Sequence, residues 1–98
     1  YVINGIDPIG EEYGGHLTIL PRDESGTYHL QWIVVGGIQE GVGIVKGNQL
    51  LVEWKTTDGV ENATGSATFT ITEIGQLYGI RTSNRLDGEG EEQAYPNQ

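Results

Sequence analysis

The chain has no cysteine among its 98 residues, so neither a disulfide framework nor a thiolate metal site can form. That absence leaves secretion an open question. Basic residues are nearly as scarce. Arg22, Lys46, Lys55, Arg81 and Arg85 are scattered against 14 acids, for a net charge of −9. Binding along a nucleic-acid backbone needs clustered Lys and Arg, so no nucleic-acid partner is expected. Acidity of this order favours solubility and cationic partners. No apolar run approaches the roughly 18 residues of a membrane-crossing helix, and nothing supports a helix of about ten residues or more. Catalytic and cofactor motifs are also missing. Gly36-Gly37 and Gly41-x-Gly43 are not followed by the helix start and Lys of a phosphate loop, and no Ser-His-Asp arrangement is suggested.

What the sequence does have is glycine and a rhythm. Its 16 glycines are more than double the ordinary usage of roughly 7%, and they fall between and within short runs of alternating apolar and polar residues. The alternation recurs about every ten residues, cut by Gly, Asp, Asn or Pro, which is the pattern of an all-β meander, barrel or sandwich. Turns and close backbone contacts therefore explain the glycines.

The alternation predicts eight strands in one domain spanning residues 1–98. Tyr1 to Ile6 ends at the turn signal Asp7-Pro8-Ile9-Gly10. Tyr13 to Leu20 carries Tyr13, Gly15, Leu17 and Ile19 on one face, and a polar loop from Pro21 to Gly26 follows. Thr27 to Val35 aligns Tyr28, Leu30, Trp32 and Val34, and Gly36-Gly37 reads as a two-residue connector. Ile38 to Lys46 has Val42 and Ile44 in phase, with Gly41 and Gly43 opposite. After Gly47-Asn48, Gln49 to Lys55 aligns Leu50, Val52 and Trp54. The polar stretch from Thr57 to Gly65 reads as an exposed loop. Ser66 to Thr72 turns Ala67, Phe69 and Ile71 inward and its threonines outward, where they suit a solvated face. Gln76 to Ser83 is the seventh strand, and Glu91 to Tyr95 is short enough to close the sheet.

Tight turns between so many short strands favour an antiparallel up-and-down meander, closed into a small barrel that has no exposed edges. Were the sheet to stay open, Tyr1–Ile6 would be an uncharged edge at which a protein partner or a second copy adds, while Glu91 and Glu92 would guard the other edge by repulsion. An eight-stranded barrel is just filled by side chains, or holds one small ligand. Tyr13, Tyr28, Trp32, Trp54 and Phe69 point inward and serve either purpose, core filling being the simpler.

In order, Tyr1-x-Ile3-x-Gly5-x-Asp7-Pro8-x-Gly10, Tyr13-x-Gly15-x-Leu17-x-Ile19, Tyr28-x-Leu30-x-Trp32 and Gly41-x-Gly43-Ile44 resemble short secreted bacterial proteins labelled fibronectin-binding-like. The resemblance continues through Gly47-Asn48-x-Leu50-x-Val52 and Gly75-x-Leu77-x-Gly79 to Gly88-x-Gly90-x-Glu92, and so spans most of the chain. It implies a small β fold and a secreted or periplasmic location, and it carries over no catalytic residue. A start at Tyr1, inside a strand-like run, also predicts a mature form after removal of a signal peptide, or a domain of something longer. After the Leu-x-Gly of the seventh strand the family usually has Trp, where this chain has Arg81. An inward Arg needs a carboxylate partner because an unpaired buried charge is very costly, and Glu92 on the adjacent strand is the natural one; otherwise Arg81 sits at a barrel mouth, in water.

Other constellations read more simply as surface. Asp87, Glu89, Glu91 and Glu92 gather four carboxylates in one segment, which suits Ca²⁺ but lacks the spacing of an EF-hand loop. A solvated acidic turn explains it. His16 and His29 lie on the outer face of neighbouring strands and would form a metal or pH-sensing pair only if the register set them opposite each other. No two of the 14 acids are singled out as a glycosidase pair. Asn62-Ala63-Thr64 matches a glycosylation sequon. No cofactor is implied. The leading expectation is a non-catalytic extracytoplasmic binding or assembly domain. Carriage of a small apolar ligand in the barrel comes second, and hydrolysis by an acidic pair last.

Overall fold

The computed structural model describes residues 1–34, 36–59 and 63–96. Its eight strands are β1 (Val2–Ile6), β2 (Glu12–Ile19), β3 (Tyr28–Val34), β4 (Gly37–Lys46), β5 (Gln49–Gly59), β6 (Thr64–Ile71), β7 (Leu77–Ser83) and β8 (Gly90–Tyr95). Every neighbouring pair is antiparallel, and the order β1 to β8 closes into a barrel. The closing ladder sets β1 against β8, from Val2 opposite Tyr95 to Ile6 opposite Glu91. Since β1 also pairs with β2 along its length, Tyr1–Ile6 is no open edge. The first strand is a stave, and an edge-addition site there does not exist in this fold.

Three of the hairpins share one turn that follows from sequence. At Asp7, Asp23 and Thr72 the carbonyl of the turn's first residue accepts from a Gly amide three residues on, and its own amide donates to the carbonyl four residues on, at 2.9 to 3.0 Å. In each case its side-chain oxygen also takes the amide four residues later. The pattern Asp/Thr-x-x-Gly-x is thus a type I turn closed by a positive-φ glycine, seen in Asp7-Pro8-Ile9-Gly10, Asp23-Glu24-Ser25-Gly26 and Thr72-Glu73-Ile74-Gly75. The β4–β5 connection is shorter, with Gly47 at φ 60° as the first residue of a II′ connection requires.

Two connections differ from the sequence expectation. Gly37 is not in the β3–β4 connector; it opens β4 opposite Val34, and Gly36, at φ 89°, supplies the turn conformation. The stretch from Thr57 to Gly65 is not one loop. Thr57, Asp58 and Gly59 extend β5, and Thr64 and Gly65 begin β6, because backbone pairing with β4 and β7 outweighs the low β propensity of Asp and Gly. Asn62 of the sequon lies outside the described residues.

The inner wall explains a second set of glycines. An eight-stranded barrel is too narrow for a large side chain at every inward position, so large and small must alternate around it. One row runs Phe69, Gly79, Glu92, Gly5, Tyr13 across five adjacent strands. A second sets Trp54 between Gly41 and Gly65. Hence Gly41 and Gly43 face inward, and Val42 and Ile44 lie on the outer surface. A Cβ on Gly41 would stand 2.9 Å from the Trp32 ring and 2.9 Å from Val52, so the strand turns its glycines to the core and its valine and isoleucine out. Ile3, Leu17, Trp32 and Phe69 are completely enclosed, and the outer face carries His16, Gln31, Glu40, Glu53 and Gln93. The same outer face also exposes Val2, Ile33 and Ile80 beside Val42 and Ile44. No described helix is long and apolar enough to cross a membrane.

Candidate functional site

One polar residue sits at the centre of this apolar interior. Glu92 on β8 is completely buried, and its strand neighbours on both sides, Gly5 and Gly79, leave the space beside it to larger side chains. Three donors converge on its carboxylate. Trp32 Nε1–H donates to Oε2 at 2.9 Å, and the Tyr13 hydroxyl and Arg81 Nη1 each donate to Oε1 at 2.7 Å. Arg81 in turn donates through Nη2 to Gln39 Oε1 at 2.6 Å. Its guanidinium carbon lies 5.0 Å from the centroid of the Trp32 ring and 4.5 Å from that of Trp54, within cation–π range. No buried side-chain nitrogen or oxygen among the described residues lacks a partner, so the network is the satisfied kind that fixes a core instead of weakening it.

The network rises to one end of the barrel, where β1, β3, β5 and β7 finish and the even-numbered strands begin. There a cavity of about 300 Å³ opens over it, with Tyr13, Gln39, Trp54 and Arg81 among its walls. Ile6, Pro8, Val34 and Leu86 supply apolar sides. Burial, and then the charge of Glu92, push the Tyr13 phenol well above its usual range. Tyr13 therefore stays a hydrogen-bond donor throughout the neutral and mildly alkaline range. Gln39 was not visible as a site residue in the sequence. Its signal is phase: with Gly41 and Gly43 inward, Gln39 two residues before faces inward as well. The register shift between Ile38 and Gln39 marks the same spot.

The other expected residues divide clearly. Tyr13 and Trp54 line the mouth. Trp32 and Phe69 are enclosed core, and Tyr28 is half-buried and packed against that core. Asp87, Glu89, Glu91 and Glu92 are not brought together, because Glu91 and Glu92 alternate across the strand and only Glu92 points inside. No group of three or more potential ligands among the described residues is placed to hold a metal. His16 stands opposite Ile33 and His29 opposite Val42, so the two histidines do not face each other. His29 instead lies 3.1 Å from Asp23. Asp23 is held well below the usual carboxylate range, first by the Ser25 hydroxyl, then by the Thr27 amide and His29. That cluster is the exposed β2–β3 turn.

A wider depression of about 990 Å³ lies on the outer face across β2 to β7, with Gln31, Glu40, Glu53, Lys55 and Ser66 along it. These are exposed strand residues on the saddle of the long β4–β5 hairpin. The mouth differs in having buried, oriented donors beneath it.

No family model, no curated protein and no solved structure matches this chain. The chemistry of the mouth therefore bears the functional reading alone.

Proposed function

We propose that this protein is a non-catalytic binding domain, acting outside the cytoplasm, that takes a small ligand at the barrel mouth. One observation carries the reading. A guanidinium is fixed in place from beneath by Glu92 and from its sides by two indoles, and it forms part of the wall of an open cavity about 300 Å³ in volume. Pockets of that size with a few convergent polar groups in apolar walls suit small-molecule recognition. Catalysis by the interior carboxylate is disfavoured because Glu92 already accepts three hydrogen bonds, is completely buried and is not among the residues that line the cavity. Carriage of a ligand deep in the barrel is disfavoured too, since Trp32 and Phe69 fill it. The secreted or periplasmic location follows the resemblance to the fibronectin-binding-like proteins, and the fibronectin label itself adds nothing to the geometry of the mouth.

The test is a titration of ¹⁵N-labelled protein with benzyl alcohol, an uncharged single-ring probe. Shifts should concentrate on the Trp54 indole N–H and the amides of Ile6, Tyr13, Val34 and Ser83. Shifts confined to the outer saddle around Glu40 and Glu53, or none at millimolar probe, would overturn the reading.

A further inference from the structure

The donors left over at the mouth define the kind of molecule that fits it. Arg has five N–H donors and no acceptor. One serves Glu92 and one serves Gln39, the guanidinium also lies against the Tyr13 hydroxyl oxygen, and at least two N–H groups remain without a protein acceptor among the described residues. Because a guanidinium cannot accept, the oxygen of the Gln39 amide must face it. Both N–H bonds of Gln39 Nε2 thus remain donors on a half-buried side chain in the cavity wall. The Tyr13 hydroxyl is committed as a donor to Glu92. The mouth therefore presents donors that lack protein acceptors beside apolar walls.

Charge decides between the acceptors that would satisfy them. The Arg81 charge is already compensated by a carboxylate at 2.7 Å. A second carboxylate, that of Asp7, belongs to a residue of the cavity rim, and the chain as a whole carries −9. An incoming anion would give up its hydration to enter a site whose local charge is balanced and whose surroundings are negative. A neutral carbonyl gives up much less and still receives a charge-assisted hydrogen bond. We propose that the mouth binds an uncharged carbonyl or amide on a small apolar body, with Arg81 and the Gln39 amide nitrogen donating to its oxygen. The apolar body rests on Trp54, Val34 and Leu86.

This inference rests on the mouth being the binding site, and three probes with one ring and different head groups separate the two questions. Benzamide, benzoate and benzylammonium are titrated into ¹⁵N-labelled protein, following the Trp54 indole and the Arg81 Nε–H. Benzamide should bind most tightly, and Gln39→Glu should weaken it by about tenfold, the loss of one hydrogen bond in a charged setting. The same substitution should strengthen benzylammonium. Tightest binding of benzoate, or equal binding of all three, overturns the ligand class while the mouth stands as the site. If no probe moves the mouth resonances, the site itself is overturned. Gln39→Leu, which removes the amide without adding charge, should also weaken benzamide, and unchanged affinity there assigns no role to the Gln39 donor and overturns its part.

Discussion

Arg81 and Glu92 stand on adjacent strands, two residues out of direct register. Gly90 lies opposite Arg81, and Gly79 lies opposite Glu92. This diagonal relation spans a distance that only long side chains bridge, and the two glycines clear the way for the 2.7 Å ion pair between them. Both partners are nearly or wholly enclosed, so the pair's energetics are those of a buried salt bridge: breaking one side is costly, while replacing both with apolar groups can be nearly neutral.

Glu92→Leu alone should therefore cost ~3–5 kcal/mol of stability, and Arg81→Leu alone a comparable amount. The double variant should lose far less than the sum, with a residue of about 1 kcal/mol for each of the Tyr13 and Trp32 donors left without an acceptor. Urea denaturation of the four proteins closes the cycle. Simple additivity would show that the two side chains do not act as a pair in solution.

The pairing is expected because the resemblance puts an aromatic where this chain has Arg81, and an inward charge needs a partner on the next strand; phase agrees with it. Arg81 follows Leu77 and Gly79 at alternate positions, which turns all three to one side, and Glu92 falls in phase with Gly90 and Ala94 on the next strand. The meander and its closure were legible from the alternation and the tight turns. What was not legible was which face of a glycine-alternating strand is inside. On β4 the apolar Val42 and Ile44 outweigh Gly41 and Gly43 by hydrophobicity, but room, not hydrophobicity, decides once Trp32 and Trp54 occupy the interior. Gln39 was hidden by the same inversion. The ends of β5 and β6 were missed because Asp58 and Gly59 are poor strand formers, and only the partner strands beside them hold them extended.

The inward glycines should be intolerant of a single methyl. A Cβ on Gly79 would fall on the Phe69 ring and 2.8 Å from the Thr68 carbonyl oxygen, and one on Gly41 would meet Trp32 and Val52 at 2.9 Å and the Glu53 carbonyl oxygen at 3.0 Å. Gly79→Ala and Gly41→Ala should each cost ~1–3 kcal/mol by overpacking. Gly14→Ala is the control, since its nearest neighbour would be the Ile3 carbonyl oxygen at 3.5 Å, an ordinary contact, and it should stay within about 0.5 kcal/mol of the parent. Equal midpoints for all three variants in thermal unfolding would contradict the large–small alternation of the inner wall.

Alkaline pH should weaken the fold through Tyr13. Burial, then Glu92, raise its pKa in the folded chain, while the unfolded chain has the ordinary value of about 10. Below pH ~10 both states hold the proton and the stabilisation is fully present. As pH rises past ~10 the unfolded state loses the proton first, so stability falls until the folded value is passed. Denaturation midpoints between pH 9 and 11 should fall more steeply for the parent than for Tyr13→Phe. Parallel slopes would mean that Tyr13 is solvated in solution.

Deleting residues 1–6 should abolish the fold. The first strand hydrogen-bonds along both sides, to β2 and to β8, and its removal would leave the inner edges of both unpaired. It also removes Ile3, which is wholly enclosed, and Gly5, over which the Tyr13 ring lies on its way to Glu92. The start of the chain is tied in as well: the Tyr1 ammonium donates to the Leu17 carbonyl at 2.8 Å, and the Leu17 amide donates back to the Tyr1 carbonyl at 2.9 Å. A seven-stranded remnant would expose the Glu92 network to water and present two long edges to other chains. Near-ultraviolet circular dichroism should show the loss of the fixed Trp32 and Trp54 environments, and a peptide of residues 1–6 added in excess should restore part of that signal by filling the vacant stave. A truncated chain that stays monomeric and keeps both indole signals without the peptide would show that seven strands suffice, and that the β1–β8 ladder is dispensable to the barrel.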